Sequence, residues 1–246
     1  MKIFLSGICG HMGKELFALA EAGVRSAQVV AGVDINPESC PVSCFKEFPK
    51  EFDGADCVID FSNHLATKAL TEFAVNNRLP LIIATTGQTE EEKKLIYAAA
   101  ESIPVFFAAN FSLGIALLTE LAQRAARTLP DAEIEIIEKH HDRKLDAPSG
   151  TALAIAEALK KVRSAAFTVL GRSGHGKRDK NEIGIHSIRL GNIVGEHEVI
   201  LSTGTQTITL KHEAHSRALF AEGALAAAEF LIGKKCGLYG MEDMVV

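Results

Sequence analysis

Between Glu138 and Thr151 the chain reads Glu-Lys-His-His-Asp-Arg-Lys-Leu-Asp-Ala-Pro-Ser-Gly-Thr. This segment crowds His140 and His141 with Lys139, Arg143 and Lys144, and closes on a Ser-Gly-Thr that suits the start of a helix. Amide N–H groups at a helix N-terminus favour anions, through their unpaired donors and the helix dipole. A pocket of this kind suits a small substrate with several negative charges, and a histidine or lysine is at hand to give it a proton. Two other readings stay open on these residues alone. The charges could form a solvated loop, or the His/His/Asp group could hold a metal. The metal reading is weakened because adjacent residues on an extended strand point to opposite faces.

A second group lies at the other end of the chain, where Gly7-Ile8-Cys9-Gly10-His11-Met12-Gly13 separates a short apolar run from a helical pattern. Glycines let the backbone turn tightly and approach a pyrophosphate at the helix start. Asp34 ends the next apolar run about 20 residues further on, where a carboxylate can bond a ribose hydroxyl. The same glycines could also serve a tight turn that holds no ligand. A carboxylate at 34 repels a 2′-phosphate and Ile35 is no cation, so NADH is expected to be preferred over NADPH, with His11 and Lys14 as weak compensation.

The elements needed to position these groups follow from the hydrophobic pattern. Apolar runs at Lys2–Ser6, Gln28–Val33, Cys57–Ile59, Leu79–Ala84 and Val105–Ala108 read as strands, with helix-length segments between them. Met12–Glu21 is amphipathic, and Thr89-Glu90-Glu91-Glu92 is a capping box that opens another helix. Such alternation predicts a doubly wound parallel sheet. Beyond Glu133–Ile137 and a helix from Gly150 to about Lys161, the runs at Phe167–Leu170, Ile183–Leu190, Glu198–Ser202 and Thr207–Lys211 have no helices between them. They suit an antiparallel or mixed sheet. Gly171–Lys180 reads as a mobile, charged loop, and Arg217–Leu231 as a final helix.

Composition narrows the class. The chain has 246 residues, 47% hydrophobic and 23% charged, with 26 Lys and Arg against 31 Asp and Glu and a net charge of −5. One or two domains fit that length. A mildly acidic chain is a poor nucleic-acid binder, and no segment reads as a membrane span or a signal peptide. The five cysteines at 9, 40, 44, 57 and 236 include no C-x-x-C pair, so reduced thiols are expected. Cys40 and Cys44 could ligate a metal, but no metal site is expected, and the chain reads as cytoplasmic.

The Glu138–Thr151 segment followed by Ala152 resembles the E-x-H-H-x-x-K-x-D-A-P-S-G-T-A signature of the dihydrodipicolinate reductase family. The likeness extends to Gly7–Gly13, Asp60-Phe61-Ser62, Ala84-Thr85-Thr86-Gly87, Ala108-Ala109-Asn110-Phe111-Ser112, Val194-Gly195-Glu196-His197 and Gly237-Leu238-Tyr239. It implies reduction of a cyclic imine dicarboxylate to tetrahydrodipicolinate by a nicotinamide hydride, in lysine and diaminopimelate synthesis. It also implies an α/β fold: a Rossmann-type domain over residues 1–111 and 217–246, around an inserted α+β mixed-sheet domain over 112–216 that binds substrate and builds a homotetramer. By resemblance His140 is the proton donor and acceptor and Lys144 a second donor. His141, Gly150 and Thr151 bind substrate. Gly7, Ile8, Cys9, Gly10, His11, Met12, Asp34, Ala84, Thr85, Thr86, Ala108, Ala109, Asn110 and Phe111 contact the cofactor. Ala84 stands where the family often has glycine. His11 replaces its usual arginine, and Ile35 a basic residue found in some members, which bears on the use of NADPH.

Overall fold

The computed structural model describes residues 1–245, with Ser39 described by its backbone alone. The chain divides into two compact units: residues 1–112 with 218–244, and residues 113–217. The expected range 217–246 ends on Val246, which lies outside the described residues.

The first unit is built on the parallel strands β1 (Lys2–Ser6), β2 (Gln28–Val33), β3 (Cys44–Phe45), β4 (Cys57–Asp60), β5 (Leu81–Ile83) and β6 (Pro104–Phe107). Their order across the sheet is β6-β5-β4-β1-β2-β3. Because β1 is followed by β2 on one side and flanked by β4 on the other, the strand order reverses there and opens a crevice at the strand C-termini. Ile3, Phe4 and Leu5 are all buried although they alternate in direction, because helices cover both faces. On one face Leu70 and Phe73 of α2 (Thr67–Asn76) and Ile96 of α3 (Glu90–Ala100) meet Phe4, Val58 and Leu81. Phe73 and Phe52 lie 4.7 and 4.9 Å from Phe4, centroid to centroid. On the other face α1 (His11–Glu21) packs beside the Ala- and Leu-rich helix Ala218–Leu231. A seventh strand, Gly237–Tyr239, pairs in parallel with β6.

The second unit begins with α4 (Leu113–Thr128) and β7 (Glu133–His140), then α5 (Gly150–Val162), β8 (Phe167–Leu170), β9 (Glu182–Arg189), β10 (Gly195–Ser202) and β11 (Thr207–Ala214). The sheet order is β11-β10-β7-β9-β8, with β7, β8 and β9 parallel and β10 and β11 antiparallel, so the sheet is mixed. Helices α4 and α5 cover one face, where Ile134 and Ile136 of β7 join Val199 and Leu201 of β10. The opposite face carries half-buried Ile137 and Ile200 and the exposed Ile188 among charged neighbours. The segment expected to be mobile, Gly171–Lys180, lacks regular structure but is pinned: Arg172 pairs with Glu182 at 2.8 Å, and Arg178 with Glu135 at 3.0 Å. The helix that closes the first unit is numbered α6 below.

Candidate active site

Period-two alternation along β7 sorts the charged segment onto two faces. Lys139 turns to the open face of the sheet and pairs with Glu196 at 2.8 Å. Glu138 and His140 turn the other way. Glu138 is completely buried, yet its carboxylate is saturated with donors. Arg189 of β9 reaches it with both terminal nitrogens, at 2.8 and 2.7 Å. The Ser149 amide donates to Oε1 at 3.1 Å, and His140 Nδ1 lies 2.6 Å from Oε2. Burial alone would raise the Glu138 carboxyl, but the Arg189 and His140 bonds, with Ser187 and Ser149, outweigh it and hold the group at about 2.

An ionised Glu138 can only accept, so the hydrogen of a neutral His140 sits on Nδ1 and Nε2 is left as the acceptor. Burial holds the His140 ring below its ordinary range; Glu138 opposes that shift, while Lys144 and Arg189 reinforce it. Gly195 clears the space beside Nε2, since a Cβ there would stand 3.1 Å from that atom. His197 stacks edge-on to His140 at 5.2 Å, and its Nε2 lies 3.1 Å from Ser149 Oγ. Burial, then the neighbouring His140, depress His197 to about 4, so it is neutral at physiological pH.

The Ser149 hydroxyl caps α5 by accepting from the Ala152 amide at 3.2 Å, which places Gly150 and Thr151 in the first helical turn. The peptide bond between Ala147 and Pro148 just before it is cis. Lys144 pairs with Asp146 at 2.8 Å, and its amide donates to the His141 carbonyl at 3.2 Å. His141 Nδ1 is buried and has no hydrogen-bond partner among the described residues. In this unit the structure therefore gathers His140, His141, Lys144, Gly150 and Thr151 at the end of β7 and the start of α5. It adds Glu138, Arg189 and His197, for which the sequence offered no role. Arg189 lies 51 residues from Glu138, and only the β7–β9 pairing makes them neighbours.

The glycine turn lies in the first unit at the C-terminal end of β1. Gly7 has φ of +77°, and a Cβ on it would lie 2.5 Å from the Phe61 carbonyl oxygen, so glycine is required there. Its amide donates to the Val33 carbonyl at 2.9 Å. Gly10 precedes α1, and no side chain caps the helix, which suits an anion at its start. A cavity of about 780 Å³ opens here; Gly7, Cys9, Gly10 and Asp34 line it, joined by Lys46 and Asn63. Asp34 accepts from the Cys9 amide at 2.9 Å and the Asn36 amide at 3.0 Å. The glycine cradle, the uncapped helix start and an acid at the end of β2 fit a dinucleotide.

The other expected cofactor residues take different places. Ile8 is buried, while His11 and Met12 lie in the first turn of α1; none of the three lines the cavity. Ala84, Thr85 and Thr86 follow β5, where the Ala84 amide donates to the Asp60 carbonyl at 3.0 Å. Ala108, Ala109, Asn110 and Phe111 follow β6, and Asn110 accepts from the Ser112 amide at 2.8 Å. These two segments share the sheet's C-terminal edge with the glycine turn but do not line this cavity. One expectation is corrected. Cys9 and Cys40 are joined by a disulfide, while Cys44, Cys57 and Cys236 are free. Parallel pairing of β1 with β2 brings their Cα atoms to 6.2 Å, a proximity that 31 residues of separation conceal.

The parallel sheet, the glycine turn and Asp34 together define a nicotinamide-nucleotide oxidoreductase. Two family models account for the chain: "Dihydrodipicolinate reductase, N-terminus" matches residues 1–111, and "Dihydrodipicolinate reductase, C-terminus" matches 114–245. The chain belongs to the dihydrodipicolinate reductase family, whose members are NAD(P)H-dependent oxidoreductases. It is 46% identical to the 4-hydroxy-tetrahydrodipicolinate reductase of Caldanaerobacter subterraneus subsp. tengcongensis, with 100% of this chain and 98% of that protein covered. It is 42% identical to the enzyme of that name from Clostridium novyi, with 99% and 98% covered. A dipicolinate-bound dihydrodipicolinate reductase from Paenisporosarcina sp. TG-14 superposes with a TM-score of 0.78 at 27% identity, with 99% of each chain covered.

Proposed function

We propose that the chain is a 4-hydroxy-tetrahydrodipicolinate reductase, which reduces the cyclic imine dicarboxylate to tetrahydrodipicolinate in lysine and diaminopimelate synthesis. The observation that carries this reading is the buried Glu138–His140 pair set beside the start of α5. The bound nucleotide supplies the hydride. The protein's own task is to hold a dianion and manage one proton. The first-turn amides of α5 at Gly150 and Thr151, with Lys144 and the unpartnered His141 Nδ1, receive the two carboxylates. Glu138 fixes the ring of His140 so that Nε2 faces its work.

An unliganded His140 is held neutral by its burial and by the Lys144 charge. A bound dicarboxylate adds negative charge beside His140 and Lys144, which favours a proton on Nε2 for delivery during reduction. Lys144 is the second donor. On this reading residues 1–111 with 217–246 serve the nucleotide, and 112–216 serve substrate and assembly.

NADH is the preferred cofactor, because Asp34 lies in the cavity and Ile35 beside it is exposed and uncharged. Lys46 also lines that cavity, a cation placed to make NADPH tolerable. A lower NADPH than NADH KM would refute the preference. The apolar Ile137, Ile188 and Ile200 on the open sheet face, the second of them exposed, support a homotetramer, which light scattering in solution tests. Among the described residues no helix is long and apolar enough to cross a membrane. Dependence on NAD(P)H for a biosynthetic step supports a cytoplasmic location. Dipicolinate, a dicarboxylate of similar shape, is expected to inhibit competitively against substrate. Failure to inhibit would argue against the pocket assignment.

A further inference from the structure

The sulfur atoms of Cys9, Cys40 and Cys44 all lie within 4.8 Å of one another. None of the three has a part in the reduction chemistry above beyond the backbone of Cys9. They arrive from separate places: the glycine turn after β1, the segment after the short helical turn Pro37–Ser39, and the first residue of β3. The pairing of Gly32 with Cys44 completes what the β1–β2 pairing begins.

We propose that the reduced cluster of Cys9, Cys40 and Cys44 is a site for one thiophilic divalent cation, zinc being the natural occupant. Zinc takes thiolates at about 2.3 Å in tetrahedral geometry, which sets ligand sulfurs about 3.8 Å apart. Three sulfurs already confined within 4.8 Å need only small side-chain rotations to meet that spacing. All three residues are half-buried, so an ion can enter from solvent, and a water can complete the fourth position. The Cys9–Cys40 disulfide is the oxidised state of the same cluster and uses two of its three sulfurs.

The surroundings favour a cation. The Asp34 carboxylate, which accepts from the Cys9 amide at 2.9 Å, adds negative charge beside the cluster. A divalent ion that binds the three sulfurs releases their protons to solvent.

The test uses the full chain, reduced with a phosphine, desalted without oxygen, and titrated with cobalt(II) as a spectroscopic stand-in for zinc. A thiolate-to-cobalt charge-transfer band should saturate at one ion per chain and be abolished by one equivalent of zinc. Cys40→Ser and Cys44→Ser should each weaken cobalt binding at least tenfold, whereas Cys236→Ser should leave the band unchanged. Zinc should also protect Cys9, Cys40 and Cys44 of the wild-type chain from alkylation but not Cys236, read by peptide mass spectrometry; this arm requires no variant to fold. The proposal is overturned by a wild-type chain with no band, by a band that survives both substitutions, or by a cluster that re-forms its disulfide without taking up metal.

Discussion

At the scale of single residues, Glu138 ties the candidate site together. A buried carboxylate is stable only when paired and hydrogen-bonded, and here Arg189, His140 and the Ser149 amide all serve it. Glu138→Gln keeps the shape but removes the charge that orients His140 and offsets Arg189. Breaking such a buried pair is expected to cost about 3 kcal/mol in urea denaturation. The variant should also lose kcat far more than it changes nucleotide affinity. A variant as stable and active as wild type would refute this role. The sign of the pH effect follows. A carboxyl held at about 2 contributes stability that is fully present above the ordinary Glu range and is lost as pH falls through that range toward 2.

His140 shifts the same way for the opposite reason. Burial lowers it in the free protein, and a dianion bound beside it is expected to raise it again. Dipicolinate binding near neutral pH is therefore expected to take up protons and to weaken as pH rises. Calorimetry in buffers of different ionisation enthalpy reads this directly, and a buffer-independent enthalpy would contradict it.

At the scale of elements, two helix starts offer a matched pair. Thr89 caps α3 in a reciprocal box with Glu92, and Ser149 caps α5. Replacing either by alanine should cost about 1 kcal/mol of stability. Only Ser149→Ala should also impair turnover, because its hydroxyl faces His197, which stacks on His140. Equal turnover in the two variants would detach α5 from the chemistry. The Thr89 box was legible in the sequence because its signature is local, and so was Asp34, whose distance from the glycine turn is set by one strand–helix–strand unit. Helix α2 was not singled out: Leu70, Phe73 and Ala74 are interleaved with threonines, and no side chain caps its start. Strand β3 has two residues, too few to show any period. Arg189, Lys46 and the Cys9–Cys40 contact escaped for a common reason. Each depends on which strands lie side by side, and spacing along one chain does not record that.

At the scale of the molecule, the sequence carries two kinds of sheet for two kinds of work. A parallel sheet buried on both faces presents a glycine turn and Asp34 at its C-terminal edge, where a dinucleotide fits. A mixed sheet covered on one face ends β7 in the Glu138–His140 pair. A ligand that binds only the folded state raises stability by about 2.7 kcal/mol at a hundred times its Kd. NADH should therefore raise the melting temperature of wild type and of His140→Ala alike. Reduction of the cyclic imine dicarboxylate, with His140 as the proton-handling group, is the reaction proposed for this chain. Its most direct test follows the oxidation of NADH while aspartate semialdehyde, pyruvate and the preceding synthase generate the substrate in place. Wild type is expected to consume NADH only when all are present, with His140→Ala slower by about 10²- to 10⁴-fold. A wild-type chain that oxidises neither NADH nor NADPH, or a His140→Ala variant that matches it, would contradict the account.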